Sequence, residues 1–373
     1  MQITETHWNN FRNLKPRRLT WCSGLNLLTG RNGSGKTNML EALNLICGWG
    51  SFYNAGSAEL RTWNSESSGA TEISCNALGE EHIRTEISIS SRISAKMNKE
   101  RVSFSELRTH IPALCFLPGD MNLIDGTPGT RRYFIDKLCT MLSVPYAKRL
   151  SDYKRLTRHR IKLLRVGKSP NITSHLLSSI GSWIWSVRSR VVKMLDEYVS
   201  IEGSSTLSPF PLKIMHKPGG LADNEDNCMD TANEIKDKFM ERLEFYSERE
   251  LKAKIPFVGP HRDDILISIR NCKDNNFEKL LPAEVQSRGQ KRRTVLSLIL
   301  ASGRILELKI KRKPLFLLDE IFSELDSDAR QLVADALFST GWQIFATSAE
   351  NNISNWQGEV YKIEDGNIVD NAQ

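Results

Sequence analysis

One short stretch constrains the fold of this chain more than any other: the glycine-rich segment at residues 30–37. Its letters, GRNGSGKT, match the pattern G-x-x-x-x-G-K-[ST] of phosphate-binding loops. An apolar segment at 25–28 precedes it, and apolar residues at helical spacing follow it from Met39 to Ile46. Strand, glycine-rich loop and helix, in this order, are the context in which the pattern binds phosphate. The sequence therefore predicts a site for a nucleoside triphosphate.

Each part of this loop has a chemical reason to contact phosphate. Glycines let the backbone curl so that N–H groups point at phosphate oxygens, and the helix N-terminus adds partial positive charge. Lys36 adds a full charge, and Thr37 offers a hydroxyl to Mg²⁺. Arg12 is a further candidate phosphate or base contact, from the edge of an early strand. The predicted nucleotide-binding residues are Arg12, Gly30, Arg31, Asn32, Gly33, Ser34, Gly35, Lys36, Thr37 and Asn38.

A second motif complements the loop, because the apolar segment 314–318 ends in two carboxylates. We predict that Asp319 holds Mg²⁺, directly or through water, opposite Thr37. Glu320 is the predicted catalytic residue, since its carboxylate can polarise a water for attack on the γ-phosphate. Adjacent acids after a strand are often only helix caps or solvated loop residues. A phosphate loop in the same chain favours the catalytic interpretation.

A third motif, Ser287-x-Gly289-Gln290, opens another predicted helix and supplies backbone N–H groups and a hydroxyl. Alone, it would usually be a simple helix cap. The order of phosphate loop, helical insertion, this motif, the Asp-Glu strand and then Glu324-Leu325-Asp326 resembles that of ATP-binding-cassette heads. In such heads the serine motif of one subunit closes over ATP held by another. The resemblance implies that Ser287, Gly289, Gln290 and Asp326 contact ATP in trans, and that ATP acts as a dimer switch.

The charge of the chain favours a polyanionic partner. Its formal net charge is +7 and its pI about 9.0. Residues 148–168 carry nine Lys or Arg against one acid, Asp152. Charge-rich helices are often only solvated, but an excess of one sign favours a surface that follows phosphates. The predicted DNA contacts are Lys154, Arg155, Arg158, Arg160 and Lys162.

The remaining composition indicates a cytoplasmic protein. Seven cysteines, an odd number without C-x-x-C spacing, predict reduced thiols rather than disulfides or a zinc site. The first residues lack a signal-peptide pattern, and no apolar run approaches the length of a membrane span. We therefore expect a soluble chain without a membrane partner.

The pattern of elements predicts an α/β fold in which a mainly helical domain is inserted into a phosphate-loop head. The expected boundaries are 1–118 and 253–373 for the two lobes of the head and 119–252 for the insertion. Strands at 71–78 and 83–89 predict a hairpin. In the insertion, helices are predicted at 145–166, 176–198 and 230–251, with an irregular segment at 203–229 and strand character again at 255–270.

Further blocks make the chain similar to the RecF family. Two of them, GTPGTRR at 126–132 and GPHRDD at 259–264, are typical of that family rather than of ATPases in general. We expect the second block to form a structural ion-pair cluster rather than a metal site. The similarity is carried by 11–13, 30–41, 126–136, 151–155, 259–264, 287–290, 317–320 and 323–326.

The resemblance implies a cytoplasmic ATPase with an ABC-type, Rad50-like head and a short helical arm. Such a protein forms an ATP-dependent homodimer, binds DNA at single-strand/double-strand junctions, and acts with RecO and RecR to load recombinase. Weak, DNA-stimulated ATP hydrolysis would reset the dimer. ATP and Mg²⁺ are the implied cofactors.

Three features depart from the family pattern. Glu320 stands where RecF proteins often carry aspartate, and Lys291-Arg292-Arg293 is unusually basic. No histidine follows Thr347-Ser348, so the sequence does not identify the residue that contacts the γ-phosphate. Other ABC-type systems are alternatives. An SMC or Rad50 head would need longer heptad arms than the insertion supplies, and a transporter cassette would not need so long a basic insertion. A non-enzymatic scaffold stays open if hydrolysis is vestigial.

Overall fold

The structure is a computed structural model that describes residues 1–62, 70–79, 81–202, 207–221, 232–271, 279–350 and 356–371. The chain forms two compact units. The first comprises Met1–Asp120 and Arg288–Gln373, and the second is Met121–Ser287. A unit built from the two ends of the chain therefore carries the middle of the chain as an insertion.

The elements are numbered along the chain. The strands are β1 (Gln2–Asn9), β2 (Arg17–Thr20), β3 (Leu25–Thr29), β4 (Thr71–Leu78), β5 (His82–Ile89), β6 (Ile93–Met97), β7 (Glu100–Val102), β8 (Ala113–Phe116), β9 (Leu212–Lys217), β10 (Asp264–Asn271), β11 (Lys279–Pro282), β12 (Leu315–Leu318), β13 (Ile344–Ser348), β14 (Glu359–Glu364) and β15 (Asn367–Asn371). The helices are α1 (Lys36–Ile46), α2 (Phe104–His110), α3 (Asn122–Asp125), α4 (Pro128–Leu142), α5 (Tyr146–Arg165), α6 (Asn171–Glu202), α7 (Ala232–Phe245), α8 (Ser247–Ala253), α9 (Arg288–Ile310) and α10 (Ser327–Ser339).

Two six-stranded sheets form the first unit. One is antiparallel, in the order β2-β1-β4-β5-β6-β7, and contains the predicted hairpin as β4 and β5. The other has the order β15-β14-β3-β13-β12-β8 and is parallel except at β15. Helix α1 contacts β4 and β5 of the first sheet and β12 and β13 of the second. Because it packs against both, α1 is buried around most of its circumference, and one apolar core joins both sheets.

The parallel sheet sets the position of the functional loops. Strand β13 lies between β3 and β12, parallel to both. The carboxyl ends of the three strands therefore reach the same edge of the sheet, which is where open α/β sheets bind ligands. The phosphate loop follows β3, Asp319-Glu320 follows β12, and Thr347-Ser348 closes β13.

Helices α3 to α8 and a three-stranded antiparallel sheet, β11-β10-β9, form the second unit. The long helix α6 contacts α4, α5, α7 and β9. Helix α5 begins and ends within one residue of the predicted 145–166. The predicted helix at 230–251 is instead two helices, α7 and α8, and part of the predicted irregular segment 203–229 is strand β9.

The second unit continues beyond the boundary at 252 that the sequence indicates, because β10 pairs with β9 and with β11. The predicted ion-pair cluster at 261–264 is confirmed. Asp263 is fully buried and pairs with Arg188 at 2.6 Å, and Asp264 pairs with Arg131 at 2.8 Å. These bonds hold the GPHRDD block inside the second unit.

Two negative predictions can be compared with the described part of the chain. Cys22, Cys47, Cys75, Cys115 and Cys139 are free thiols, whereas Cys228 and Cys272 lie outside the described residues. Burial raises the pKa of the Cys75 thiol to about 12. Among the helices described, none combines the length and the apolar composition that crossing a bilayer requires.

Candidate functional site

The phosphate loop has positive φ at each of its three glycines, Gly30, Gly33 and Gly35, a conformation that other residues adopt only with strain. Gly30 has φ +148°, and a Cβ there would lie 2.3 Å from the carbonyl oxygen of Ile363. Gly35 has φ +111° and is the residue immediately before α1. With no side chain at Gly35 to cap the helix, the N–H groups of the first turn of α1 are left for an anion.

The side chain of Lys36 folds back onto the phosphate loop. Its Nζ donates hydrogen bonds to the carbonyl oxygens of Gly30 at 2.7 Å and Arg31 at 3.0 Å. Burial lowers the pKa of Lys36, while the nearby carboxylates of Glu320 and Asp319 act in the opposite direction. Within the described part of the chain, the ammonium is held by carbonyls and not by a salt bridge, so a phosphate oxygen can replace these bonds with stronger, charge-assisted ones.

Thr37 and Asp319 meet as the sequence predicts. The Thr37 hydroxyl lies 3.1 Å from each carboxylate oxygen of Asp319. Burial raises the pKa of Asp319, and the hydrogen bonds from Thr347 and Thr37 counteract that rise. A hydroxyl and a carboxylate, both hard oxygen donors, form the type of partial ligand set that Mg²⁺ takes from protein beside phosphate oxygens. The two side chains therefore fit a magnesium ion.

Thr347 organises both acids, and the sequence did not single out this role. Its hydroxyl donates to Asp319 at 2.6 Å and accepts the backbone N–H of Glu320 at 2.8 Å. The only signal in the sequence is its place at the carboxyl end of the strand beside β12. Thr347 thus connects the carboxylate of Asp319 to the backbone of Glu320.

Glu320 has a left-handed backbone, with φ +48°. Non-glycine residues held in this region cost about 1–3 kcal/mol each and are concentrated at functional sites. The residue lines a small pocket of about 150 Å³ together with residues of the phosphate loop. The other lining residues are Asn32, Gly33, Gly35, Lys36, Thr37 and Asn38.

The back of the loop is held by residues far from it in sequence. Asn13 donates its amide to the carbonyl of Gly33 at 3.2 Å and accepts from Asn38 at 2.8 Å. The backbone N–H of Gly366 donates to the carbonyl of Ser34 at 2.8 Å. These contacts fix the loop before any ligand binds, which lowers the entropy cost of binding.

Arg12 lies in a different environment from the one that its predicted phosphate contact suggests. Its guanidinium makes two hydrogen bonds to Glu41, at 2.9 and 3.1 Å, and one to the carbonyl of Glu59. Glu41 is fully buried in α1 and also accepts the hydroxyl of Ser51 at 2.6 Å. Arg12 therefore connects the loop after α1 to the helix, and its contact with nucleotide stays a prediction.

The serine motif lies at the start of α9, with Ser287 immediately before the helix and Gly289 and Gln290 in its first turn. Gly289 packs so close to the carbonyl of Glu324 that a Cβ would lie 3.1 Å from it. Asp326 accepts the N–H of Ala329 at 2.8 Å and so caps α10. Gly289, Gln290 and Asp326 do not line the small pocket beside the phosphate loop.

Arg292 explains part of the basic run after the serine motif. It is buried, donates to the carbonyl oxygen of Ser323 at 2.6 Å and to the Ser323 hydroxyl, and lies over the ring of Phe116. Burial lowers the pKa of Arg292, and Glu324 and Glu320 oppose that change. One of the three charges therefore fastens α9 to the loop that follows Glu320, rather than facing a partner.

Four of the five predicted DNA contacts are exposed on α5, namely Lys154, Arg155, Arg158 and Lys162. Arg160 is a correction, because only 1% of it is exposed. Its guanidinium bonds to Glu250 at 2.7 and 2.9 Å and to Ser174 at 3.0 Å. Arg160 lies three residues after Thr157 and seven after Tyr153, both of which are buried, and this places it on the inner face of α5, where it holds α8 and α6.

Comparison with known proteins gives matches along almost the whole chain. The family model described as RecF/RecN/SMC N terminal domain matches residues 2–368. A DNA replication and repair protein RecF from Moorella thermoacetica is 31% identical over 353 residues, covering 91% of this chain and 88% of that protein. The RecF from Thermoanaerobacter sp. (strain X514) is 27% identical over 377 residues, 99% of each chain.

Solved structures give the same result. The recombination mediator protein RecF-ATPrS in the RecFOR pathway superposes with a TM-score of 0.84 at 28% identity, covering 100% of this chain and 98% of that one. RecF-ATP in the same pathway gives 0.83 at 27% identity, with the same coverage. An SmcHead bound to the C-winged helix domain of ScpA gives 0.60 at 16% identity over 98% of this chain and 95% of that one, which shows a common fold.

Proposed function

This chain belongs to the RecF family, within the RecF/RecN/SMC N-terminal domain group, and has its ABC-type head fold; from that premise we propose that it is an ATP-dependent DNA-binding protein of replication and repair. One observation carries the proposal: the phosphate loop, Thr37, Asp319 and Glu320 meet at one edge of the parallel sheet, and Thr347 bridges the two acids.

ATP is the proposed ligand of this edge. Loop N–H groups and the N-terminus of α1 receive the phosphates, and Lys36 exchanges its carbonyl partners for phosphate oxygens. Thr37 and Asp319 hold Mg²⁺, which neutralises phosphate charge during hydrolysis. Glu320, whose backbone N–H is fixed by Thr347, orients the attacking water.

The proposed assembly is a homodimer in which each ATP is shared by two copies. The phosphate loop of one copy holds the triphosphate, and Ser287, Gly289, Gln290 and Asp326 of the other copy cover it. The exposed position of Ser287 before α9 supports this arrangement, as does the absence of Gly289, Gln290 and Asp326 from the lining of their own copy's pocket. Hydrolysis then opens the dimer.

Replacing Glu320 by glutamine is expected to retain ATP and to accumulate the dimer. The amide keeps the size of the side chain but cannot act as a base, so opening slows by about 100-fold or more, within the usual range for a general base. Light scattering after gel filtration with ATP and Mg²⁺ measures the mass. A Glu320→Gln variant that stays monomeric while binding ATP would contradict the shared site. Glu324→Gln, four residues further along the chain and exposed, is the control.

DNA is the proposed second ligand, bound through α5 of the second unit. We define the α5 stripe as Lys154, Arg158, Lys162 and Arg165, with Arg155 beside it; all are exposed. Their spacing of four, four and three residues places the stripe on one side of the helix. Single-strand/double-strand junctions, and RecR and RecO as partners in recombinase loading, are the finer parts of the proposal. The RecFOR pathway named for the similar RecF-ATPrS structure supports the two partners, and the junctions follow from the resemblance of the sequence alone.

Replacing Arg155, Arg158 and Lys162 together by glutamine is expected to weaken DNA binding at every sequence. The slope of log K against log salt concentration should also become shallower, by up to about 2.7 if each of the three side chains contacts a phosphate. Fluorescence anisotropy with gapped DNA at several salt concentrations measures both quantities. Lys193→Gln, an exposed charge on α6, is the control for net charge. An unchanged salt slope in the triple variant would exclude the stripe.

A further inference from the structure

A pocket inside the second unit is not used by the nucleotide site. Its volume is about 300 Å³, and residues of the blocks at 126–136, 151–155 and 259–264 contribute to its lining. These blocks are among those that carry the similarity to the RecF family, yet none of their residues lines the pocket beside the phosphate loop. The polar side chains in the lining include Arg132, Tyr133, Asp136, Lys154, Arg188 and His261.

The one carboxylate in this lining is already neutralised. Arg188 donates to Asp136 from Nη2 at 2.8 and 3.1 Å and from Nε at 3.0 Å. The Tyr146 hydroxyl donates to the same carboxylate at 2.5 Å. Asp136 therefore does not repel an anion as a free carboxylate would. Besides the paired Arg188, two cations line the pocket, Arg132 and Lys154.

Arg132 is the half-buried cation of the pocket. Its Nη1 donates to the backbone carbonyl of Asp263 at 2.6 Å, and within the described residues it forms no ion pair. Its Nη2 lies near Gly129 in the first turn of α4, 3.7 Å from where a Cβ of Gly129 would be. Burial and the charge of Arg188 lower the pKa of Arg132, with Asp263, Asp264 and Asp136 opposing. An oxyanion placed here would give this guanidinium the direct ion-pair partner that the described residues do not supply.

The pocket opens beside a path for a polyanion. Lys154 belongs both to the lining and to the α5 stripe, which continues to Arg165. At 1.5 Å per residue the stripe spans about 16 Å of helix, enough for several phosphates of one strand. Inorganic phosphate or a single acidic side chain would occupy only the pocket and would make no use of the stripe. Because the stripe of positive charge continues from the pocket, a nucleic acid backbone fits the two features together better than either small anion does.

We propose that this pocket seats one backbone phosphate of bound DNA, with Arg132 as its buried donor and Lys154 at its rim. The proposal rests on the DNA binding proposed above and adds a fixed anchoring point to it. The stripe follows the backbone, and the pocket holds one phosphate of it in place. Tyr133, which is exposed at the rim, lies next to that strand.

Arg132→Gln, assayed in the full chain by anisotropy with gapped DNA, tests the anchor. Loss of a charge-assisted contact from a half-buried site is expected to weaken binding by about 10- to 100-fold, and to lower the salt slope by about one. Arg132→Lys should recover the slope but only part of the affinity, because it keeps the charge and loses the planar fork. Lys193→Gln should change affinity by less than about twofold, as expected for an exposed residue outside the contact.

A second variant separates binding from folding, since Arg132 also bonds to Asp263. Lys154→Gln removes an exposed side chain and should lower the salt slope by about one without changing the denaturant midpoint. A photo-crosslinking residue in place of Tyr133 should couple to DNA, and the same residue in place of Lys193 should not. Coupling at position 133 that disappears in Arg132→Gln would support the seat.

Several outcomes would overturn the seat. One is an unchanged salt slope in both Arg132→Gln and Lys154→Gln, while the triple α5 variant weakens binding. The chain would then bind DNA through α5 without using the pocket. Another is a hexaglutamate peptide whose binding depends on Arg132 while DNA binding does not, because that would assign the pocket to an acidic protein segment. If the unmodified chain does not bind gapped DNA at all, the proposed function itself fails with the seat.

Discussion

Replacing Lys36 by alanine is expected to lower the affinity for ATP by about 100-fold or more. Nζ is held by two loop carbonyls, at 2.7 and 3.0 Å, in the place where it would meet phosphate oxygens. Each charge-assisted hydrogen bond lost is worth about 1.5–3 kcal/mol, and every 1.4 kcal/mol is a factor of ten. Titration calorimetry with ATP and Mg²⁺ measures the loss directly.

The fold should tolerate this change. Among the residues that the structure describes, Lys36 forms no ion pair, so the thermal midpoint of Lys36→Ala without nucleotide should stay close to that of the unmodified chain. Lys15→Ala, which removes an exposed lysine from the same unit, should bind ATP normally. Undiminished ATP affinity in Lys36→Ala would show that the phosphate loop is not the ATP-binding site.

Replacing Asp263 by alanine is expected to cost the second unit about 3–5 kcal/mol of folding free energy, the usual cost of breaking a buried ion pair. Its carboxylate accepts four hydrogen bonds at zero exposure. They come from Trp185 Nε1 at 2.7 Å, the N–H of Gly219 at 2.8 Å, Arg188 at 2.6 Å and His216 at 2.9 Å. Without the carboxylate, Arg188 keeps Asp136 but loses one of its two counter-charges inside the protein.

Urea unfolding followed by tryptophan fluorescence measures this loss, because Trp185 belongs to the network. Asp152→Ala, which removes an exposed ion pair with Arg155, is the matched control and should cost less than about 1 kcal/mol. Equal urea midpoints for the Asp263→Ala variant and the unmodified chain would show that the network does not stabilise the second unit.

The same carboxylate predicts a dependence on pH. Burial alone would raise the pKa of Asp263, but the charges and hydrogen bonds of Arg188, His216 and Gly219 outweigh it and lower the pKa from 3.8 to about 2. A lowered pKa contributes stability above the unfolded value of 3.8, and that stability is lost as pH falls towards 2. The difference in stability between the unmodified chain and Asp263→Asn should therefore shrink between pH 4 and pH 2.

The sequence could predict the features that neighbouring residues along the chain determine. The phosphate loop and its flanking strand and helix follow from residues whose spacing fixes their geometry. The hairpin of β4 and β5 follows for the same reason, since alternation and a Gly79 turn set its register. These features need only a few consecutive residues, and no distant partner decides them.

Features that depend on distant partners could not be predicted in this way. Arg160 belongs to a basic run, and only the position of Glu250, ninety residues on, shows that it is buried. Thr347 acts through its neighbour strand β12, which the order of strands in the sheet determines. The continuation of the second unit to Ser287 depends on the pairing of β9 with β10, across segments whose composition suggested no strand at 203–229.

The shared ATP site is tested most directly by mixing two inactive variants, Lys36→Ala and Ser287→Arg. Each variant alone lacks one half of every composite site. In a mixed dimer, the intact phosphate loop of the Ser287→Arg copy faces the intact serine motif of the Lys36→Ala copy, so one complete site is restored. We predict that ATP-dependent dimers and ATP hydrolysis reappear only in the mixture. If neither returns at any mixing ratio, although both variants are folded, the two copies do not share their nucleotides.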